Sequence, residues 1–180
     1  LRCAIMTGNL TTGGVFMVRE LLQLGNPSLY EVSEPVTEAD LDNIQDWVTD
    51  LHDTLQVHCS SRRAPRAIAA PQIGIPKRLF YLYQDHPCVF VNPTLHFPDS
   101  EKYMMLDDCL SFPGLIVKVE RHRRVIIDYY DRELHPQSLD LTDELAELVQ
   151  HECDHLNGIL ATMRAVDSRS FYLAQIQRNY

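Results

Sequence analysis

Apolar side chains recur at intervals of three and four residues between positions 37 and 58, where the sequence reads TEADLDNIQDWVTDLHDTLQVH. This spacing places them on one face of an α-helix. Thr37 and Glu38, just before the first apolar residue, are typical of a helix start. The pattern therefore predicts an N-terminal amphipathic helix whose apolar stripe packs in the core, formed by Leu41, Ile44, Trp47, Val48, Leu51 and Leu55.

Short runs rich in β-branched and aromatic residues follow this helix, after a polar loop with the sequence CSSRRAPRA. The runs are IAAPQIGIP, RLFYLY and CVFVNPTL, and they are bounded by proline, asparagine and aspartate, as strands commonly are. A longer segment, LIVKVERHRRVIIDYYDREL, predicts two further strands or one long bent strand.

A second helical pattern starts near residues 140–142 and carries DELAELVQHECDHLNG. Its apolar residues share one face, and Gly158 follows the last of them, as glycine often does at a helix end. We expect the buried stripe of this helix to consist of Leu145, Leu148, Val149 and Leu156.

Length and charge narrow the class of protein. The chain has 180 residues, of which 45% are hydrophobic, so we expect one domain spanning 1–180 with a sizeable core. A formal net charge of -9 argues against nucleic acid as the main ligand. The single basic run, RHRR at 121–124, is interpreted as the start of a strand. No apolar stretch approaches the roughly 20 residues of a membrane span.

Five cysteines are present, an odd number at irregular spacing without a CxxC pair. This argues against a disulfide framework and favours a reducing compartment.

The second helix carries a candidate metal site. His151 and His155 lie one turn apart on the same helix face, with Glu152 beside them, a spacing typical of metal-dependent hydrolases. Only Asp167 follows as an acidic candidate for a third ligand, so an upstream residue is expected. The segment DDCLSFPG offers Cys109, which would complete a site of two imidazoles and one thiolate with an open position for water.

Two other residues need an interpretation from the helix and turn patterns. Cys153 lies about 200° around the helix from His151, so we expect it to pack as a small apolar side chain. Gln72, in AAPQ, is either an ordinary turn residue or a residue whose amide lines the same pocket.

These segments resemble peptide deformylases, whose pattern combines Gly-x-Gly-x-Ala-Ala-x-Gln, Glu-Gly-Cys-Leu-Ser and Gln-His-Glu-x-Asp-His-Leu-x-Gly. The third segment matches in full at residues 150–158, and the others match in part at residues 69–72 and 109–111. Order and spacing agree over most of the chain. The departures are Pro65 and Ala67 for the two glycines, Asp107 for the glutamate and Asp108 for the third glycine, besides the SSRRAP loop and the tail beyond residue 160.

The resemblance implies an α+β fold with mixed or antiparallel sheets packed around a central C-terminal helix. It also implies hydrolysis of the formyl group from formyl-methionyl chains, with Glu152 as general base and with Gln72 and the Leu110 backbone N–H stabilising the oxyanion. One divalent ion is expected on Cys109, His151 and His155, namely Fe(II), with Zn, Ni or Co able to replace it. The resemblance also pairs Asp107 with Arg121 or another cation of the RHRR run.

Substrate, partners and compartment follow from the same resemblance. Ala67 and Asp108 replace glycines that accept a peptide backbone, so they are expected to crowd the substrate. The partners are N-formylated nascent chains, with association with the ribosome as a further expectation. The setting is a mitochondrion or other organelle, otherwise the cytoplasm of a bacterium. The alternatives are a metal-binding relative with altered substrate specificity and an HExxH peptidase, which the absent downstream ligand disfavours.

Overall fold

Eight β-strands and three α-helices form the regular structure of the residues that the computed structural model describes, 17–58 and 66–177. The helices are α1 (Leu41–His58), α2 (Asp143–Leu156) and the short α3 (Ala174–Gln177). The strands are β1 (Arg66–Ala69), β2 (Leu79–Tyr83), β3 (Pro87–His96), β4 (Lys102–Asp108), β5 (Leu115–His122), β6 (Arg124–Tyr130), β7 (Pro136–Thr142) and β8 (Phe171–Leu173).

The strands form two antiparallel sheets. The first has the order β1-β2-β3-β6-β7, and the second has the order β4-β5-β8. Helix α2 packs against strands of both sheets, and it therefore lies at the centre of the fold. The expected α+β architecture, with antiparallel sheets around the helix that carries the two histidines, is confirmed.

The five-stranded sheet is covered on both faces at β1 and β2, because α1 packs on one side of these strands and α2 lies on the other. Phe80 and Leu82 of β2 belong to the cluster around α2, whereas Leu79 and Tyr81 belong to the cluster around α1. Successive strand residues point to opposite faces. Each face of β2 therefore needs apolar residues, which explains why this strand is apolar at every position rather than at alternate ones.

The predicted elements agree with the structure in large part. The run IAAPQIGIP is an exception, because only its first two residues belong to β1, and Ala70–Ile73 form a 3₁₀ turn instead of a strand. Helix α1 follows a 3₁₀ turn at Glu38–Asp40, and the segment after Pro113 forms two strands that meet at Arg123. Strands β4, β7 and β8 were not predicted, because their residues are mostly exposed or half-buried. Helix α2 begins at Asp143, slightly later than expected, because residues up to Thr142 pair with β6 as part of β7.

The cysteines differ in state. Cys88 is disulfide-bonded, so the expectation of reduced cysteines is wrong at this position. Cys109 and Cys153 are free and buried, and Cys153 packs in the core around α2, as predicted. The predicted polar loop lies almost wholly at 59–65, outside the described residues, and so does Pro65. None of the described helices is long and apolar enough to cross a membrane.

The segment before α1 is held by backbone hydrogen bonds to three distant parts of the chain. The N–H of Leu22 donates to the carbonyl of Gln72 at 2.8 Å, and the N–H of Leu24 donates to the carbonyl of Ser111 at 2.7 Å. The N–H of Ser33 donates to the carbonyl of Leu156, at the end of α2, at 3.0 Å. This segment therefore joins both loops near the histidines to the end of the helix that carries them.

We expect Gly158→Ala to lower the free energy of unfolding by about 2–4 kcal/mol, since it combines a left-handed backbone with a steric clash. Gly158 has φ +70°, and an added Cβ would lie 2.6 Å from the Tyr30 carbonyl carbon. Gly114→Ala is the control, because it has φ +83° but no atom within 4 Å of the added Cβ. That variant should lose only about 1–2 kcal/mol in urea denaturation. Equal losses in both variants would contradict the packing role of Gly158.

Candidate metal centre

Helix α2 brings His151 and His155 together in the interior. The two residues lie one helical turn apart, and both side chains are buried. Their Nε2 atoms are 3.2 Å apart. Only one proton fits between two nitrogens at this distance, so at least one of them presents a lone pair at this point.

Cys109 reaches the same point from the loop that follows β4. Its Sγ lies 3.2 Å from Nε2 of His155. The backbone N–H of Ser111 donates to this sulfur at 3.4 Å, and the N–H of Phe112 donates to the Cys109 carbonyl at 3.2 Å. A tight turn after the strand therefore directs the thiol towards the helix.

These three side chains fit a metal ion. The ligand atoms of Cys109, His151 and His155 all lie within 4.8 Å of one another. Two ligand atoms bound at about 2.1 Å to a tetrahedral ion are roughly 3.4 Å apart, close to the separations seen here. One sulfur and two imidazole nitrogens also form a donor set that binds Zn and Fe in proteins.

The electrostatic surroundings of the two histidines favour a positive charge at this point. Burial alone would lower the pKa of His151, but the negative charges of Asp107 and Cys109 outweigh it and hold this pKa well above the usual value. Burial lowers the pKa of His155 well below the usual value, so its ring is neutral and can act as a ligand. A metal cation can supply the positive charge that otherwise resides on His151.

A buried network of charged side chains contacts His151 at Nδ1. Oδ1 of Asp107 lies 2.8 Å from Nδ1 of His151, and Oδ2 accepts a hydrogen bond from Arg121 at 3.0 Å. Arg121 also donates to Asp154 on α2, which in turn pairs with Arg164. Burial would raise the pKa of Asp107, but His151 and Arg121 outweigh it and lower this pKa. The predicted pair of Asp107 and Arg121 is confirmed, whereas the contribution of Asp154 was missed.

Glu152 is buried beside the metal centre with one oxygen free. Its side chain is 2% exposed, and its Oε2 makes no hydrogen bond with the described residues. Burial raises the pKa of Glu152 to about 8. A carboxylate with this pKa can accept and release a proton near neutral pH.

Gln72 and Leu110 place hydrogen-bond donors at the centre. Oε1 of Gln72 accepts the Ala69 N–H at 2.8 Å, which orients the amide so that Nε2 donates to Sγ of Cys109 at 3.4 Å and to Oγ of Ser111 at 3.2 Å. The backbone N–H of Leu110 makes no hydrogen bond with any described residue. Of the two interpretations of Gln72 given above, a turn residue or a residue whose amide lines the same pocket as the metal ligands, the structure agrees with the second.

A cavity of about 360 Å³ opens onto these groups. Ala67 of β1 and Asp108 at the end of β4 both line it, as do Gln72, Leu110 and Glu152. The structure thus brings all eight residues proposed from the sequence to one place. Cys109 and His151 also line the cavity, and His155 contacts both of them.

Sequence reasoning missed several cavity residues, and Glu147 is the most deeply buried acidic one among them. Its side chain is only 8% exposed, and burial raises its pKa to about 7. Glu147 precedes His151 by four residues, which places both on the same helix face. That spacing is the signal that could have identified it, but a glutamate on a charged helix looks like an ordinary surface residue.

The chain is similar in sequence to known peptide deformylases. Residues 18–171 match the family model described as polypeptide deformylase. The chain is 35% identical over 170 residues to peptide deformylase 1 of Prochlorococcus marinus, covering 86% of this chain and 84% of that protein. It is 36% identical over 150 residues to a peptide deformylase of Rhizobium meliloti, covering 79% and 82%.

Solved structures of similar proteins share the fold. The peptide deformylase of Thermotoga maritima superposes with a TM-score of 0.76 at 29% identity, covering 83% of this chain and 99% of that one. A peptide deformylase of Synechococcus elongatus in complex with actinonin has a TM-score of 0.76 at 28% identity, covering 88% and 89%.

We expect Arg121→Met to lower the free energy of unfolding by about 3–5 kcal/mol, because it removes the one arginine that Asp107 contacts and one of the two that pair with Asp154, both of them buried carboxylates. Arg124→Met is the matched control, since its pair with Asp140 is about half exposed on both sides. Breaking an exposed pair should cost about 0–1 kcal/mol. Urea denaturation of both variants checks this, and a loss at Arg121 no greater than at Arg124 would refute the bracing role.

Proposed function

This chain belongs to the polypeptide deformylase family, and from that premise we propose how its residues perform the reaction. Members of this family are metal-dependent hydrolases that remove the N-formyl group from nascent peptides, and this chain is such an enzyme. The observation that carries the proposal is the convergence of Cys109, His151 and His155 at a cavity that also holds Glu152.

Cys109, His151 and His155 would hold one divalent ion. Fe(II) is the ion that the family resemblance implies, with Zn, Ni or Co as replacements, and a donor set of one thiolate and two imidazoles accepts all four. When bound, such an ion acts as a Lewis acid that polarises a carbonyl and makes water a stronger acid.

Glu152 acts as the general base and acid. Its free Oε2 takes a proton from water as the water oxygen attacks the formyl carbon. Glu152 then gives this proton to the amide nitrogen as the bond between carbon and nitrogen breaks. The products are formate and a peptide with a free amino terminus, so the atoms of one water molecule are fully accounted for.

Two donors stabilise the negative charge that develops on the formyl oxygen. One is Nε2 of Gln72, which its Oε1 contact with Ala69 holds in place. The other is the N–H of Leu110, which makes no hydrogen bond within the part of the chain that the structure describes. Donors that are oriented before the reaction contribute most, because no reorganisation is needed in the transition state.

Asp107 and Arg121 act on His151 rather than on the substrate. The contact of Asp107 with Nδ1 keeps the proton on that nitrogen, which leaves Nε2 of His151 free as a ligand. Arg121 holds Asp107 in place and compensates its charge. The two residues thus determine which tautomer His151 presents.

Ala67 and Asp108 are substrate-binding residues in this proposal. Both line the cavity, and each has a side chain where the family pattern has glycine. The added atoms narrow the approach of a peptide backbone, so short formyl peptides should bind more weakly than they do to a glycine-bearing relative.

The partners and the compartment complete the proposal. The substrates are N-formylated nascent chains, met at or near the ribosome, and nucleic acid is not the main ligand of a chain with a net charge of -9. Formylated chains are made in bacteria and organelles, which supports a mitochondrial or other organellar location, or else the cytoplasm of a bacterium.

We expect Cys109→Ala to lose most of its bound metal, because two imidazoles alone form an incomplete site. Cys153→Ala is the matched control, since Cys153 is also a free, buried cysteine but packs in the core. Metal content after anaerobic loading and desalting checks the prediction. Equal stoichiometry and affinity in the two variants would refute Cys109 as a ligand.

Formate release tests the reaction itself. The anaerobic Fe(II)-loaded protein should hydrolyse formyl-Met-Ala-Ser, and chelation should abolish this activity. Glu152→Gln should keep the metal but lose a factor of about 100 or more in kcat, the usual scale of general acid–base catalysis. The control is Glu120→Gln, which neutralises an exposed carboxylate on β5. Retained activity in a folded, metal-loaded Glu152→Gln protein would rule out the proposed role.

A further inference from the structure

The N-terminal segment, residues 17–24, contacts both loops that carry the oxyanion donors. The N–H of Leu22 donates to the carbonyl of Gln72 at 2.8 Å, and the N–H of Leu24 donates to the carbonyl of Ser111 at 2.7 Å. Within the described part of the chain, no backbone hydrogen bond joins the two loops directly. The segment therefore supplies a backbone link that the loops themselves lack.

The side chain of Gln23, between these two N–H donors, adds a third contact. Its Nε2 donates to the carbonyl of Leu110 at 3.4 Å and to the carbonyl of Leu21 at 3.2 Å. Leu110 is the residue whose N–H is the second oxyanion donor. Because Gln23 holds the Leu110 carbonyl and Leu24 holds the next carbonyl along the chain, these bonds limit the rotation of the Leu110 backbone.

Helix α1 holds the other end of the N-terminal segment. Nε of Arg19 donates to Oδ2 of Asp50 at 2.8 Å, and the N–H of Arg19 donates to Oγ1 of Thr54 at 2.9 Å. The N–H of Met17 donates to Oδ2 of Asp53 at 3.0 Å. All three acceptor residues are buried, so water competes little for these bonds. The segment is thus fixed to a helix that lies outside the metal centre.

Gln72 must change its contacts during the proposed reaction. Its amide nitrogen carries two hydrogens, and Nε2 donates to Sγ of Cys109 and to Oγ of Ser111. A hydrogen bond to the developing negative charge uses one of these two hydrogens, so one direct contact between the loops is given up. The bonds from Leu22 and Leu24 involve other atoms, and they therefore persist in the transition state.

Core packing alone does not account for the contact of Gln23 with the loop. Leu21 belongs to the apolar cluster around α1, and Leu110 packs against the same cluster. These two side chains already join the segment to the loop by apolar contact. Gln23 is exposed, so its side chain adds a hydrogen bond to Leu110 without adding buried apolar surface.

We propose that residues 22–24 position the two oxyanion donors relative to each other, with Gln23 as the positioning side chain. This inference rests on the proposed function. Gln23 does not line the cavity, and it acts through the backbone of Leu110. Donors of this kind contribute to the rate because they are oriented before the reaction, and a displacement of about 1 Å is enough to weaken them.

The first test separates kcat from KM. We expect Gln23→Ala to lower kcat for formyl-Met-Ala-Ser about threefold to tenfold, the scale of one hydrogen bond, with KM changed less than about twofold. The reason is that the oxyanion donors act on a charge that develops in the transition state. A contact that served stability alone would lower the free energy of unfolding and leave kcat of the folded enzyme unchanged.

The matched control is Gln45→Ala. Gln45 is also exposed, and its Nε2 also donates at 3.4 Å, but the acceptor is Oγ1 of Thr49 on the same helix. This variant should change neither kcat nor KM. A Gln23→Ala enzyme with the kcat of the unmodified protein would overturn the inference, and so would an equal loss of kcat in both variants.

Backbone esters test the two N–H bonds of the segment. Leucic acid, the hydroxy acid analogue of leucine, can be incorporated at Leu22 or Leu24 by cell-free translation, where it replaces one N–H with oxygen and keeps the side chain. Each ester should lower kcat at least about tenfold. The control is the same ester at Leu29, whose N–H donates to the carbonyl of Asn26 at 3.2 Å within one turn. Equal kcat in all three esters would contradict the proposed positioning.

A spectroscopic measurement separates this inference from the proposed function. If no formyl peptide releases formate, the proposed hydrolysis fails, and NMR of the Zn(II)-loaded protein decides whether the segment positions the donors. The ester at Leu22 should shift the N–H signal of Leu110, and the ester at Leu24 should shift the side-chain amide signal of Gln72. Each ester then moves the donor on the loop to which it is not bonded. Unchanged signals of both donors, as expected for the ester at Leu29, would overturn the inference.

Discussion

The buried guanidinium of Arg121 connects every part of the structure that carries a metal ligand. It extends from β5 to Asp107 on β4 and to Asp154 on α2, so one cation holds two carboxylates from different elements. Cys109 follows Asp107 by two residues, and Asp154 directly precedes His155. Asp107 also contacts His151. The relative positions of the three ligands therefore depend on one side chain whose charge must be satisfied inside the protein.

Local periodicity predicted the parts of the site that lie on a single element. His151, Glu152 and His155 share a helix turn, so their spacing alone indicated a common position. The bracing by Asp154 was not visible, because it depends on how β5 packs against α2. Strands β4 and β7 escaped prediction for a related reason, since their mixed exposure gives no clear alternation. Their existence follows from pairing with β5 and β6, which are distant in the chain.

The cavity combines two kinds of surface that have different origins. Some of its lining residues, such as Cys109, His151 and Glu152, are required by the chemistry and were recognisable as motifs. Other lining residues, such as Glu147 and Met105, belong to no motif. Side chains of this second kind are free to differ between relatives with the same catalytic groups. Two enzymes of this family can therefore share a reaction and still differ in the substrates that they accept.

The hydrogen bonds of the segment before α1 impose an order on biosynthesis. The acceptor for Ser33 is the carbonyl of Leu156, and Gly158 packs against Tyr30. A growing chain releases residues 30–33 long before it completes α2. The N–H of Ser33 therefore lacks its acceptor until the helix has been synthesised. The contacts that join this segment to the end of α2 form only after translation has passed the second histidine.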